Sequence, residues 1–300
     1  MDRIFIAGMD SVAGANMACA YSDRFQVTGC ALNAPVHIDG TRYDVASATP
    51  HTLISRAGVQ QVVYCGLASR SSWMTDHAVI EAEERRRVRT WSRAAAAAGI
   101  SFTYISSDGI FSGPWLYHDE KSDAFATTTV AKALATLEDE VREAHTDALI
   151  VRTNCFGWSP DGDQLVESIL SQIESGARQF PYRHHATIIH AAELAELITR
   201  AWSGAVTGIL HIGGGQRTNQ NQLAQSLAAE FGLQLNHSPC GPVRELSRPA
   251  IESSFRCERL KSVLGGSLPD LTQSVTRLRE EHESGFIRRF QQRTVAARVA

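Results

Sequence analysis

The segment IAGMDSVAGAN, residues 6–16, sets Gly8, Ser11 and Gly14 three residues apart, directly after the apolar run 3–7. In a turn from strand to helix, glycines permit a tight bend and a close approach of the backbone to phosphate. The helix that follows turns its first N–H groups toward the negative charge. The spacing is that of the G-x-x-G-x-x-G variant, with Ser11 small enough for the middle position and Val12 opening the helix. Such a loop suits the pyrophosphate of a dinucleotide. A glycine-rich turn that only packs helix on strand has the same pattern, so the loop alone does not decide.

A dinucleotide fold also places an acid at the end of its second strand for the ribose hydroxyls, or a base for a 2′-phosphate. Here that stretch reads VTGCALNA; Cys30, Ala31 and Leu32 supply neither, and Asn33 is the one polar candidate. The choice between NAD and NADP therefore stays open. Asp44, in RYDVAS, is a candidate for the adenine end or an exposed turn aspartate. Further along, Tyr182, Arg183, His184 and His185 cluster just before ATIIHAAEL, which contains His190. Metal ligation by these histidines needs a convergence that adjacent histidines rarely give, and no metal is expected.

These residues need strands and helices to hold them. Residues 3–7, 26–30, 61–65, 101–106 and 148–153 are short apolar runs with polar or glycine-containing flanks, the pattern of buried strands. Helical patterns at 79–98 and 127–144 lie between them. Strand and helix in alternation predict a doubly wound parallel α/β sheet of the Rossmann type. Beyond residue 155 the pattern changes: helices are expected at 164–175, 191–201 and 219–231, with a strand at 209–212. We expect a dinucleotide-binding domain over 1–155. A smaller substrate-side lobe over 156–300 is interleaved with the last strands of the sheet. The tail 280–300 carries Arg288, Arg289, Arg293 and Arg298 and reads as a solvated terminal helix.

The 300 residues are 43% hydrophobic and 20% charged, with a formal net charge of -3, which favours neither nucleic acid nor an acidic membrane surface as partner. No apolar run approaches the roughly 18 residues of a membrane span, and no leader pattern precedes Ile4. The cysteines (19, 30, 65, 155, 240 and 257) form no C-x-x-C pair and read as free thiols of a reducing compartment, so the cytoplasm is expected.

Taken in order, the glycine loop, YDVASATPHTLISRAGVQQVVYCGLAS, TYISSDGIFSG, VRTNCFGW, HATIIHAAELAELI, GILHIGGGQ and SRPAIESSFRCERL resemble the extended short-chain dehydrogenases that act on nucleotide sugars. The resemblance covers nearly the whole chain. It is closest to the dTDP-4-dehydrorhamnose reductase branch, which includes the regulatory subunit of methionine adenosyltransferase. It implies NAD(P) as cofactor and a nucleotide-sugar or small carbonyl substrate, with a homodimer or a regulatory partner as further expectations. In that family a Ser or Thr orients the substrate carbonyl, which carries over to Ser107. The family's Y-x-x-x-K pair follows on the next helix: the lysine holds the nicotinamide ribose and lowers the tyrosine pKa, and the tyrosine moves the proton. Lys132 matches the lysine, but the tyrosine position is Thr128. An aliphatic hydroxyl is a far weaker acid than a phenol, and loss of a positioned general acid costs about 10²- to 10⁴-fold. Tyr117, with His118 beside it and able to titrate near neutrality, is a weaker candidate for that role. Either an atypical oxidoreductase or a non-catalytic binder of dinucleotide or nucleotide-sugar fits this pattern.

Overall fold

A computed structural model describes residues 2–74, 82–113, 115–123, 125–177, 180–235 and 251–291. The central sheet has six strands, all parallel: β1 (Arg3–Ala7), β2 (Gln26–Cys30), β5 (Gln61–Tyr64), β6 (Ser101–Ser107), β7 (Leu149–Thr153) and β11 (Gly208–His211). Their spatial order is β11-β7-β6-β5-β1-β2. Small pairings decorate it, among them the hairpin β3 (Val36–Ile38) and β4 (Thr41–Tyr43). A three-stranded patch is built from β9 (His184–Ala186), β12 (Thr218–Asn219) and β13 (Ile251–Glu252). Two-residue strands β8 (Cys155–Phe156) and β10 (Ile189–His190) pair in parallel beside the main sheet.

The two-residue period of a strand splits the apolar side chains between the faces of the sheet. Ile4, Ile6, Val63, Ile105 and Val151 belong to one hydrophobic cluster, together with residues of α1 (Val12–Tyr21), α5 (Leu165–Glu174), α6 (Ala191–Ser203), α7 (Gln220–Glu230), α8 (Glu258–Leu264) and α9 (Leu271–Glu283). Phe5, Val62, Tyr64, Phe102, Tyr104 and Ile150 belong to the other, with Ile54 of α2 (Pro50–Ala57), Val88, Trp91 and Ala95 of α3 (Ala82–Ala97), and Leu134, Leu137 and Val141 of α4 (Thr129–Ala144). Both faces are covered, as strands buried on both sides require. The predicted strands and helices appear at or within a few residues of their expected limits, and residues 79–81 of the first expected helix lie outside the described ones.

The tail departs from expectation. α9 ends at Glu283, and residues Phe286–Phe290 form a 3₁₀ turn docked on the β3–β4 hairpin rather than a solvated helix. Arg289 donates to both carboxylate oxygens of Asp39 at 2.7 and 2.6 Å and returns its carbonyl to the Asp39 N–H at 2.7 Å. Asp39 sits at φ 51° in the tight hairpin turn, which explains why a fixed partner is useful there. Arg293 and Arg298 lie outside the described residues. Cys19, Cys30, Cys65, Cys155 and Cys257 are free and buried, and Cys240 is likewise outside. Among the described residues, no helix is long and apolar enough to cross a membrane.

Candidate functional site

The chain runs from β1 outward to β2 and then crosses to β5 on the other side of β1, so the ends of β1 and β5 flank the point where the winding reverses. Doubly wound sheets bind their ligands in the crevice at that point. The loop after β1 occupies it. Gly8 has φ 102°, open to glycine alone, and a Cβ there would lie 2.1 Å from the Cys65 carbonyl oxygen. A Cβ on Gly14 would lie 2.1 Å from the Gly8 carbonyl oxygen. Both glycines are required by contact within the fold. Ser11, by contrast, is the N-cap of α1 at φ −95°, where any residue fits. Its Oγ accepts the Gly14 N–H at 2.9 Å and donates to the Gly8 carbonyl at 2.8 Å, closing the turn.

The N–H groups of Val12 and Ala13 open α1 and have no acceptor within it. No acidic residue lies in that first turn to offset the positive end of the helix dipole, although Asp10 and Asp161 line the cleft beside it. A narrow cleft here is lined by Asp10, Ser11, Val12, Arg70, Gly157 and Gln164 among others. A closed glycine turn, a free helix N-terminus and a cleft at the switch point fit a dinucleotide pyrophosphate. A cavity of about 530 Å³ opens at the opposite end of the sheet beside Gln61, His145 and Trp202 and contains none of the candidate residues.

At the β2 end, Asp10 of the glycine loop turns its carboxylate onto the next segment. Oδ1 accepts the Leu32 N–H at 2.8 Å; Oδ2 accepts from Asn33 N, Asn33 Nδ2 and Ala34 N at 2.9, 3.1 and 3.3 Å. Asn33 Oδ1 accepts from Arg87 Nη1 of α3 at 3.3 Å. Asp44 is exposed, and its carboxylate pairs with Arg42 on its own hairpin at 2.7 Å.

The second half of the site lies at the ends of β6 and β7. Ser107 is fully buried; its Oγ accepts the Gly109 N–H at 3.0 Å and lies 3.5 Å from Asp108 Oδ1. Asp108 Oδ2 accepts from Ser253 Oγ at 2.7 Å and Asn154 Nδ2 at 3.1 Å. Burial pushes the Asp108 carboxyl up to about 6, although the hydrogen bonds from Ser253, Ser72, Asn154 and Ser107 favour its charge. Ser253 Oγ also lies 3.2 Å from His184 Nε2, and burial, then His185, brings His184 down to about 4. Beneath them Glu138 binds Arg152 through two hydrogen bonds of 2.9 and 2.7 Å and accepts from Ser106 at 2.6 Å. His211, 3.5 Å from Arg152, is pressed down to about 3 by burial and then by that guanidinium.

Thr128 and Lys132 both stand at the start of α4. Thr128 is exposed and is the N-cap, its Oγ1 accepting the Ala131 N–H at 3.1 Å, so the helix begins one residue after it. Lys132 is exposed and, among the described residues, its ammonium makes no hydrogen bond or ion pair.

Tyr117 is exposed at φ 58°, with its N–H donated to Ser254 Oγ at 3.1 Å, and no contact among the described residues links its side chain to Ser107. His118 lies in surroundings that differ from those of a free imidazole. It is buried, stacked on Phe111 at 4.2 Å and 4°, and burial lowers its pKa. The other histidines diverge: His185 Nε2 meets Asn219 Nδ2 at 3.1 Å, while His190 Nδ1 accepts the Ala192 N–H at the start of α6. Among the described residues no group of three or more His, Cys, Asp and Glu side chains is placed to hold a metal ion.

Asp10, Asp108, Asn154 and Ser253 were not among the expected site residues. Each lies inside a segment that carried the resemblance: IAGMDSVAGAN, TYISSDGIFSG, VRTNCFGW and SRPAIESSFRCERL. The signal was their shared membership in these segments, and the fold brings Asn154 and Ser253 to the one buried carboxylate of Asp108.

The family model described as RmlD substrate binding domain matches residues 3–284. The chain belongs to this family. No curated protein matches it in sequence. Among solved structures it is similar to dTDP-4-dehydrorhamnose reductase from Bacillus anthracis str. Ames, in complex with NADP, at 17% identity over 93% of this chain and 99% of that one, with a TM-score of 0.75. It is also similar to the Bordetella bronchiseptica enzyme WbmH in complex with NAD+, at 16% identity over 92% and 96% of the chains, TM-score 0.68. A third is MoeE5 in complex with UDP-glucuronic acid and NAD, at 15% identity over 95% and 100%, TM-score 0.73. At such identities the likeness speaks for the fold. Membership in the RmlD substrate binding domain family agrees with the resemblance read from the sequence.

Proposed function

We propose that this protein binds NAD(P) at the glycine loop and is an oxidoreductase of nucleotide-linked sugars, or of a similar small carbonyl compound, with an atypical active site. The observation that carries the reading is the loop itself: Gly8 and Gly14 closed by Ser11, with the amides of Val12 and Ala13, unpaired among the described residues, at the switch point of the sheet. NAD(P)H supplies hydride when bound. Lys132 is the residue to hold the nicotinamide ribose, and Ser107 the one to orient a substrate carbonyl after turning its hydroxyl away from Asp108. Thr128 offers an aliphatic hydroxyl where a phenol is needed, so reduction is slow. The free buried cysteines support a cytoplasmic setting.

The second reading, a dinucleotide- or nucleotide-sugar-binding subunit that acts through a partner or as a homodimer, is favoured by two observations. Thr128 serves as a helix cap, and Ser107 is fully buried. Both readings require cofactor binding. Steady-state reduction of a dTDP-4-keto sugar separates them: measurable turnover well below the ordinary range of about 1 to 10³ s⁻¹ supports the first. Saturable cofactor binding with no turnover supports the second.

A further inference from the structure

We infer that Arg87 reads the 2′-phosphate of the adenosine ribose, which makes this chain selective for NADP(H) over NAD(H). The inference rests on the proposal that the glycine loop holds a dinucleotide. The sequence leaves the choice open because Cys30, Ala31 and Leu32 at the end of β2 carry no charge. The fold brings a charge there from more than fifty residues away: Arg87, on the second turn of α3, donates from Nη1 to Asn33 Oδ1 at 3.3 Å. The end of the second strand is where a doubly wound fold places the adenosine ribose.

An acid that selects NAD at this position must offer free lone pairs to the 2′- and 3′-hydroxyls. Asp10 is the nearby carboxylate, and it is spent. Its Oδ2 already takes three N–H donors and its Oδ1 a fourth, all from residues 32–34. Those amides offset its charge and turn it into a brace for the loop.

Arg87 is committed far less. A guanidinium carries five N–H donors in a planar fork. The Arg87 fork uses Nη1 on Asn33 and Nη2 on Glu83 at 2.7 Å, with Glu84 3.9 Å away, and its side chain is 31% exposed. The Glu83 pair lies within one exposed turn of helix, where such pairs are worth little. A phosphate dianion can replace that partner with a stronger, two-pronged one. Its neighbours Arg85 and Arg89 are held by Glu140 on α4, whereas Arg87 reaches Asn33 at the β2 end. A purely structural Arg87, clamping α3 to the β2 loop, would serve both cofactors alike.

Calorimetric titration of the full chain with NADP+ and with NAD+, for wild type, Arg87→Gln and Arg87→Lys, tests this, with thermal melting to check each fold. The wild type is expected to bind NADP+ at least tenfold more tightly. Arg87→Gln should lose most of that preference while its NAD+ affinity stays within about twofold, and Arg87→Lys should recover part of it. Equal wild-type affinities, or an Arg87→Gln variant that weakens both cofactors alike, overturn the assignment of Arg87 while leaving dinucleotide binding intact. Failure of the wild type to bind either one overturns the dinucleotide reading, and this inference with it.

Discussion

The Thr128 hydroxyl accepts the Ala131 N–H at 3.1 Å, so Thr128 is the cap of α4 and not part of its first turn. A tyrosine cannot make that hydrogen bond. The Lys132 N–H still bonds to the Thr128 carbonyl at 3.1 Å, so the four-residue spacing of the two positions survives as backbone geometry.

Thr128→Tyr is expected to lose about 1 kcal/mol of stability with the cap and, if Ser107 and Lys132 act as proposed, to raise reductase turnover about tenfold or more. Thr128→Ser keeps the cap and should change neither. Denaturant melts and steady-state assays with NADPH and a dTDP-4-keto sugar read both effects. Normal ligand binding with no gain in turnover means that the pocket has diverged beyond this residue, and favours the binding subunit.

Asp108 should give the protein a measurable pH signature. Its folded pKa of about 6 is raised above the unfolded value of about 3.9, so its contribution to stability is present at low pH and lost as pH rises through 4 to 6. His184 and His211 act oppositely. Their folded values of about 4 and about 3 lie below the ordinary one, so their contribution is present at neutral pH and lost as pH falls below about 6.5. Asp108→Asn removes the compensating gain. The fall in unfolding free energy from pH 7 to pH 5 is expected to be about 1 kcal/mol larger in the variant than in the wild type. The same fall in both would show that Asp108 does not titrate in this window.

The Glu138–Arg152 pair is buried on both sides, with side-chain exposures of 1% and 3%. Glu138→Ala leaves a guanidinium under Phe111 and Phe125 without its counter-charge and should cost about 3–5 kcal/mol. The exposed Arg42–Asp44 pair is the control: Arg42→Ala should cost no more than about 1 kcal/mol. Urea denaturation compares them, and equal losses would contradict the assignment of the buried pair.

The sheet was legible because its strands are short apolar runs that must be covered on both faces, and Phe5 and Ile6 announce the two faces by alternation alone. The glycine loop was legible for the same local reason. What sequence order hides is partnership across the chain. Asp108 meets Ser253 across 145 residues, Asn33 meets Arg87 across 54, and Asp39 meets Arg289 across 250. No periodicity encodes these contacts. Over residues 284–291 the tail departs from a solvated helix because Arg289 finds Asp39 in the hairpin turn, a partner that the arginine-rich sequence does not announce. The helical pattern over 127–144 places Thr128 inside the helix, and only the hydrogen bond to Ala131 moves the helix start past it.

The central claim is that the N-terminus of α1 holds a dinucleotide pyrophosphate. Its two glycines cannot test this, since any side chain at Gly8 or Gly14 would collide with backbone at 2.1 Å and disturb the fold along with the site. Val12 can. It is partly exposed, lines the cleft and opens the helix, where an added carboxylate is favourable to the helix and repels phosphate. The decisive measurement is an equilibrium titration of wild type and Val12→Glu with NADPH, with melting temperatures recorded in parallel. The account predicts saturable binding to the wild type, and an affinity at least about a hundredfold weaker in a variant that melts no lower. A wild type that does not bind, or a Val12→Glu variant that binds as well as the wild type, would contradict it.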